Sequence, residues 1–480
     1  MIVGGGISGV AAAYFLRESG ARVTVVEGSA RIGGKLAVSD VGGIAVDEGA
    51  EALLARRPEG TDLIKAVGLG EELVSPGTTA AGIWTRGRLR PLPRRQFLGV
   101  PADLGELESS GILSAEGMAR ARDDLRLPVT ERDGDVPVAG YVGARFGAEL
   151  VDRLVDPLLG GVYAGRSEEL SFEATLGALA QASRTHRSLA AAAASLLPAP
   201  APGPAAPAAV FTTLSGGLGT LPAAVAAASG ATVRTSAMAR ELARTADGWR
   251  LTLGPTRAPE QLDADAVILA VPARPASRLL SEAAVAAPAA AALAEIDCAS
   301  VAIVTLAYPR DSFPRLPERS GYLVPAADGR AVKAVTFSSV KWPHLRSASG
   351  PARTCGLGLD VVRCSLGRVR EEALLQRDDT ELARIAAEDL AAATGVRGGP
   401  AAVRVTRWGG GLPQYTVGHP DRVDRIRAGV AGLPGLAVCG AFFDGLGIPA
   451  CIASARQAAD QVLAHLGSSA ATAAASMGGR

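Results

Sequence analysis

The feature that most constrains this chain is a glycine run that begins four residues into it, Gly4-Gly5-Gly6-Ile7-Ser8-Gly9. It follows the apolar pair Ile2-Val3 and leads into Val10-Ala11-Ala12-Ala13-Tyr14-Phe15-Leu16, which reads as a helix. Gly4, Gly6 and Gly9 have the spacing G-x-G-x-x-G expected between a strand and a helix that together receive a dinucleotide. The first glycine allows the tight turn, the second lets a pyrophosphate approach the backbone, and the third lets helix and strand pack closely. The free N–H groups and the positive end of the helix then face the phosphates. Ala21 to Glu27 reads as a second parallel strand ending in an acid, at the distance at which a carboxylate binds a ribose hydroxyl pair. Arg31-Ile32-Gly33-Gly34-Lys35 adds a second glycine pair and two cations within reach of the same ligand. Only three residues precede Gly4, so the first strand is unusually short and the chain start is where the sequence invites a check.

With 480 residues the chain is long enough for two or three structural units with a substantial core. Its net charge of +1 argues against nucleic acid as the main partner, which favours a strong basic excess. Five cysteines, Cys298, Cys355, Cys364, Cys439 and Cys451, are widely spaced and contain no CxxC pair. They predict a reducing cytoplasm rather than a disulfide framework. His186, His344, His419 and His465 are too scattered to suggest a metal site. No apolar run reaches spanning length; residues 189–210 come nearest, and their prolines break them into a linker.

Along the chain, Val46-Asp47-Glu48-Gly49-Ala50-Glu51 is an acid–glycine cluster expected on the way out of the cofactor site. Residues 59–73 read as helical, and Ile83 to Leu89 as a hairpin turning at Arg86-Gly87. Residues 92–169 read as a helical insertion, with Ser114 as an N-cap, helices over Val138 to Phe146 and Ala148 to Leu159, and Leu150, Leu154 and Leu158 on one face. That stripe is suited to a core or to a lipid or partner surface. In Pro157 to Gly165 the glycines around Tyr163 admit two readings: close approach of backbone to a ligand, or helix termination at Gly160-Gly161 with Tyr163 in the core. After the Pro-rich linker, Ala231 to Arg234, Trp249 to Leu253 and Ala266 to Pro272 read as strands that resume the nucleotide-binding unit. Strands are expected at Ala299 to Tyr308, Val332 to Phe337 and Leu357 to Val362, and a helix over Glu371 to Ala393 interrupted near Gln376-Arg377-Asp378. A last glycine turn, Asp444-Gly445-Leu446-Gly447-Ile448, follows the apolar run Leu436 to Gly440 and precedes the helical run Ala450 to Leu466; residues 467–480 read as a disordered tail.

The Gly4 to Gly9, Glu27 and Arg31 to Gly34 pattern resembles the flavoprotein superfamily of monoamine oxidases, phytoene desaturases and protoporphyrinogen oxidases. Further stretches narrow the resemblance: Pro157 to Gly165 with Leu170-Ser171, Gly216 to Pro222, Phe337 to Trp342, Leu366-Gly367-Arg368, Leu412 to His419 and Asp444 to Pro449. Together, over residues 2 to 466, they resemble bacterial oxygen-dependent porphyrinogen oxidases, specifically the Gram-positive coproporphyrinogen III oxidases. The resemblance implies an α/β fold whose Rossmann-like FAD-binding domain is split among residues 1–48, 203–272 and 401–480. It also implies an α+β substrate domain at 49–91, 170–202 and 273–400, with the helical insertion at 92–169.

By the same resemblance FAD is bound non-covalently, since no cysteine lies in Trp408 to Tyr415, where monoamine oxidases attach their flavin. Gly4, Gly6, Ile7, Ser8 and Gly9 hold the pyrophosphate and Glu27 the adenosine ribose. Arg31, Gly33, Gly34 and Lys35 lie along the cofactor, and Met238, where relatives often carry valine, meets the adenine through its backbone. Gly440, Asp444, Gly447 and Ile448 meet the pyrophosphate, ribityl chain and isoalloxazine. Relatives often read Gly-Pro-Asp where this chain has Gly49-Ala50-Glu51.

The implied reaction removes six electrons and six protons from coproporphyrinogen III to give coproporphyrin III, in haem biosynthesis. Hydride passes to the flavin in three cycles and dioxygen accepts the electrons as peroxide. Aromatisation drives it, so no strong protein base is required, and the sequence offers no His–carboxylate constellation; no catalytic acid or base is assigned. Protoporphyrinogen IX is the alternative substrate, and a poorly turning-over flavin-binding carrier of the haem pathway is an alternative of another class. The substrate's propionates need cations, best arginine. Arg56, Arg57, Lys341 and Arg368 are the candidates, with Tyr163 and Tyr415 for packing near the flavin or macrocycle. The expected setting is the cytoplasm, with peripheral membrane contact and a haem-pathway enzyme partner open at the helical insertion.

Overall fold

The computed structural model describes residues 1–198, 210–282, 286–315, 317–348 and 358–477. The strand Ile2–Val3 is the centre of a five-stranded parallel sheet. Across the sheet the order is Thr232–Arg234, Thr24–Val26, Ile2–Val3, Val267–Leu269 and Leu436–Val438. Ile2, Val25, Val267, Ile268 and Ala437 are all buried, as apolar runs are when helices cover both faces of a parallel sheet. The central strand is only two residues long, but its ladder is extended beyond it. Gly4 N–H donates to Val26 O at 2.8 Å and Ala270 N–H to Val3 O at 2.8 Å.

One face of this sheet carries the first helix, Ile7–Phe15, against the C-terminal helix, Ile448–Met477. Their contact is built from Ala11, Ala12, Ala455 and Ala459, all buried, and such small side chains let the two backbones approach closely. The C-terminal helix runs to Met477, so most of the stretch expected to be disordered is helical; residues 478–480 lie outside the described residues, as does 199–209 of the expected linker. The other face packs against Ala273–Glu282 and Ala287–Ala294.

Trp249–Leu253 is not part of the parallel sheet. It is the middle strand of a three-stranded antiparallel sheet between Ala239–Arg244 and Glu260–Ala264. Trp249, Leu251 and Leu253 are buried while Arg250 is exposed, so one face is covered along the whole strand and the other, where Thr252 is buried, only at its end.

The second large sheet has seven strands in the order Ala402–Pro413, Cys298–Pro309, Leu359–Leu366, Val332–Phe337, Gly321–Leu323, Gly82–Thr85 and Arg88–Pro91. The hairpin joining the last two turns at Arg86 and Gly87, both at positive φ. Residues 402–413 belong to this sheet and not to the nucleotide-binding unit, because they form a long antiparallel ladder with Cys298–Pro309. The outer face is covered by the helix Asp379–Thr394 through Leu382, Ala386 and Leu390. Asp378 caps that helix by accepting from Glu381 N–H, which is why the helical pattern is interrupted there.

The helical layer extends past its expected end at residue 169. Helices from Leu104–Ser110 to Leu189–Ser195 share one core that includes Leu107, Val142, Leu154, Phe172, Leu179 and Ala193. Ser114 caps Ala115–Arg122 by accepting from Gly117 N–H. The stripe residues Leu150 and Leu154 face this core, so there the periodicity reports packing. Asp124 and Arg145 form a buried ion pair inside the layer, and Asp124 also accepts from Ser188 Oγ and the N–H groups of Leu189 and Ala190. The helix over Asp156–Tyr163 passes through Gly160-Gly161 without stopping and ends at Ala164, at φ +52°. Among the described residues no helix is long and apolar enough to cross a membrane.

Candidate active site

The first helix begins at Ile7 with Gly6 as N-cap, no side-chain cap and no acid in its first turn. Its first intrahelical bond is Val10 N–H to Gly6 O at 3.1 Å, so the N–H groups ahead of Val10 have no helical acceptor. The neighbouring glycines have packing reasons. A Cβ on Gly4, at φ +110°, would lie 2.5 Å from Ala270 O, and one on Gly9 would lie 1.9 Å from Gly4 O. Gly6 is different: a Cβ there would meet nothing within 4 Å. No protein atom requires glycine at this position. The open space sits at the positive end of an uncapped helix, which is the cradle a pyrophosphate fits.

Glu27 is fixed from both sides, with Gly5 N–H donating to Oε2 at 2.7 Å and Ser29 N–H to Oε1 at 2.8 Å. It ends the second strand, so its carboxylate is held beside the glycine turn. Further along, Ala237 N–H donates to Glu27 O at 2.8 Å, which sets Met238 against Gly28. Met238 is 57 % exposed, unusual for a methionine that is not at a surface contact. Gly33 N–H donates to Gly5 O at 2.8 Å, and a Cβ on Gly34 would lie 3.3 Å from Gly6 Cα. The second glycine pair therefore closes over the first. Arg31 braces this loop, its guanidinium donating to the carbonyls of Ile32, Gly34 and Leu36. Lys35 makes no hydrogen bond or ion pair among the described residues, and burial pulls its ammonium below its ordinary pKa.

The last glycine turn faces the first. Gly440, at φ +142°, donates its N–H to Ser454 Oγ at 3.2 Å, and Gly447 and Ile448 open the C-terminal helix, which has no acid in its first turn. Asp444 turns outward and pairs with Arg427, with half its side chain exposed. Tyr415 is a strut of this turn: its hydroxyl donates to Ala441 O at 2.6 Å and accepts from Gly445 N–H at 2.9 Å. His419 stacks on the Tyr415 ring with centroids 3.9 Å apart, and its Nε2 lies 3.3 Å from Phe443 O. Burial lowers the His419 pKa to about 4, so the ring is neutral at physiological pH. Tyr163 lies 5.5 Å from Tyr415, ring to ring, and burial pushes its phenol up to about 12. Gln414 Nε2 donates to Tyr163 O at 2.7 Å and ties the helical layer to the seven-stranded sheet.

The acid–glycine cluster is consumed in structural bonds rather than open to a ligand. Asp47 accepts from Leu218 N–H at 3.0 Å and Gly219 N–H at 2.9 Å, and burial raises its pKa to about 6. Glu48 pairs with Arg404. Glu51 accepts from Lys341 Nζ at 2.7 Å and from Arg363 Nη1 at 2.6 Å. Burial acts to raise the Glu51 pKa, but the two cations outweigh it and hold it at about 2.

The candidate propionate cations accordingly separate. Lys341 is committed to Glu51, and Arg57 lies at the start of a helix and pairs with its neighbour Glu59. Arg56 is exposed on the surface. Arg368 alone is buried beside the helical layer, donating to Val324 O at 3.1 Å. Arg363, Asp47 and His419 were not foreseen as organisers of this region. For Arg363 the available signal was a cation in the middle of the strand Leu359–Leu366, between Val361-Val362 and Cys364.

The family model for flavin containing amine oxidoreductases matches residues 7–463. The chain belongs to this family. Two of its similar relatives are coproporphyrinogen III oxidases. The one from Bacillus subtilis is 32 % identical, with 97 % of this chain and 98 % of the relative covered. The one from Mycobacterium bovis is 35 % identical, with 97 % of each chain covered. A solved structure from Exiguobacterium superposes with a TM-score of 0.82 at 30 % identity, covering 96 % of this chain and 98 % of its own. The family's flavin fits the donor set found here: one uncapped helix N-terminus, a second helix N-terminus without an acid in its first turn, a fixed carboxylate and the open Gly6.

Proposed function

We propose that this chain oxidises coproporphyrinogen III to coproporphyrin III with FAD as cofactor and dioxygen as acceptor. The observation that carries the reading is that the relationship to coproporphyrinogen III oxidases spans the helical layer and the seven-stranded sheet as well as the nucleotide-binding segments. When bound, FAD supplies the redox chemistry, taking two electrons at a time and handing them to dioxygen. The protein supplies binding and orientation. Ile7, Ser8 and Gly9 present N–H groups to the pyrophosphate, and Glu27 accepts from the adenosine ribose. Gly28 and Met238 border the adenine, while Gly447 and Ile448 present the second helix end. Lys35, with no carboxylate partner, faces the cofactor as a cation. Tyr415, held by Ala441 and Gly445 and backed by His419, fixes the glycine turn that would border the flavin. No acid–base pair is assigned, because formation of the aromatic macrocycle drives the loss of protons. The surface we offer for membrane contact is the stretch of the helical layer where Leu125 and Val129 stand exposed with Arg126.

The deciding experiment supplies coproporphyrinogen III and protoporphyrinogen IX separately under air. Faster turnover of coproporphyrinogen III supports the proposal, faster turnover of protoporphyrinogen IX reassigns the substrate, and negligible turnover of both sinks it. Gly6→Val tests the cofactor placement. The side chain fills the one open position of the glycine turn, so the purified variant is expected to release no FAD on denaturation. Full occupancy in that variant would falsify the placement.

A further inference from the structure

Beside Arg368 stands a second buried cation that neither composition nor motif singled out. Lys333 lies in the strand Val332–Phe337, is 4 % exposed, and its ammonium makes no hydrogen bond or ion pair among the described residues. Its surroundings make that arrangement unfavourable. Burial lowers its pKa to about 7, the charge of Arg368 acts in the same direction, and Glu371 opposes them. Arg368 is itself 6 % exposed, with Nη1 3.6 Å from Glu371 Oε2. Glu371 is shared again, since Arg166 Nη2 lies 3.3 Å from its other oxygen. Three cations thus converge on one carboxylate. A largely buried ammonium with no bonded partner costs free energy unless something compensates it, and the nearby, partly exposed Glu371 does so only in part.

The backbone re-aims Lys333. The pairing of its strand with Leu359–Leu366 shifts register between Val332 and Ala334, as at a β-bulge, a device that redirects a side chain. Val332 and Val335 join the outer core under the helix Asp379–Thr394. Its carbonyl accepts from Val324 N–H at 2.9 Å, and Arg368 donates to Val324 O, so both cations flank one residue. Opposite lies the end of the helix Asp156–Tyr163, which packs on this strand and its neighbour Gly321–Leu323. A Cβ on Gly161 would lie 3.2 Å from Leu323 Cδ2, and Val369 N–H donates to Ala164 O at 2.8 Å. The cations therefore sit at the same seam between sheet and helical layer as Tyr163 and Tyr415.

We infer that Lys333 and Arg368 form a receptor for one substrate carboxylate, the Lys333 ammonium and the Arg368 guanidinium donating to its two oxygens. The inference rests on the proposed function, in which the ligand's carboxylates are the propionates of a tetrapyrrole. It adds Lys333 as the residue that discriminates an ionised propionate from a neutral side chain.

The test uses the flavin-loaded full chain and two probes, coproporphyrin III and its tetramethyl ester, with binding followed by porphyrin fluorescence. The wild type is expected to prefer the acid. Lys333→Met is expected to weaken acid binding about tenfold, which is about 1.4 kcal/mol, and to abolish most of the preference over the ester. Flavin content should be unaltered and the thermal midpoint should not fall, whereas a purely structural lysine would lower it. Lys333→Arg is expected to restore the preference. A Lys333→Met protein that keeps the wild-type preference overturns the inference and leaves the proposed function standing. A wild type that binds neither probe overturns both.

Discussion

Two buried clusters of positive charge lie on the seven-stranded sheet, and they differ in how they are balanced. In one, Lys341 and Arg363 share Glu51, and Asp47 lies close enough to feel Arg363 as well. Two cations meet two carboxylates, and the charge closes on itself. In the other, Lys333, Arg368 and Arg166 meet Glu371 alone. The lysine and one arginine of each are largely buried, while Glu371 and Arg166 stand partly open to solvent and Glu51 does not. What separates them is the partner inventory. A closed inventory marks a joint that holds the sheet to the segment Gly49 to Glu51; an open one marks a place where an anion belongs.

The comparison is broken most severely at Glu51. Glu51→Gln leaves Lys341 and Arg363 buried without their shared anion, and unfolding by urea should show a loss of about 3–5 kcal/mol. A wild-type-like midpoint would mean the cluster is not a joint. The same carboxylate sets an acid limit. Its folded pKa is depressed from 4.5 to about 2, so its contribution is complete above pH 4.5 and is lost as pH falls from there toward 2. Stability measured across that window should decline in the wild type and decline less steeply in Glu51→Gln; parallel curves would rule the linkage out. Smaller opposite effects are expected of the two lysines. Lys341→Met should lower stability by about 1–3 kcal/mol, because a bonded partner is removed from a buried carboxylate. Lys333→Met should leave it unchanged or raise it, because an unpaired charge is removed. Equal losses in the two variants would erase the distinction. The smallest effect belongs to Arg57, whose partner Glu59 is two residues away at the surface; Arg57→Ala should shift the midpoint by no more than about 0.5 kcal/mol.

Local chemistry explains which parts of this molecule could be read without coordinates. The glycine turns at Gly4 to Gly9 and Gly33-Gly34 were legible because each needs close backbone approach, which only glycine permits, within a strand–turn–helix pattern that is local in sequence. The Ser114 cap, the break near Asp378 and the Arg86-Gly87 turn were legible for the same reason. Sheet membership was not. Residues 402–413 lie next to the last nucleotide strand in sequence but pair with Cys298–Pro309, and Trp249–Leu253 left the parallel sheet, because strand pairing is decided by long-range contacts. Charges were the least legible. Lys341 and Arg368 both fit a propionate by type, and only the positions of Glu51 and Glu371 tell them apart. Lys333 carried no motif, and its meaning depends on a register shift three-dimensional in origin. Asp444 and Arg31 were expected along the cofactor by resemblance, yet Asp444 pairs outward with Arg427 and Arg31 spends its donors on its own loop.

The parallel sheet also sets a timetable for synthesis. Its central strand, Ile2–Val3, is made well before the strand it pairs with, Val267–Leu269, and that strand waits in turn for Leu436–Val438. At about 5–20 residues per second the last strand follows the fourth by roughly 10–30 s. Until then the first helix lacks the C-terminal helix that buries its alanines. A nascent chain therefore exposes the apolar heart of its nucleotide-binding unit until Leu436–Val438 and the helix Ile448–Met477 have emerged, and cofactor capture follows their arrival.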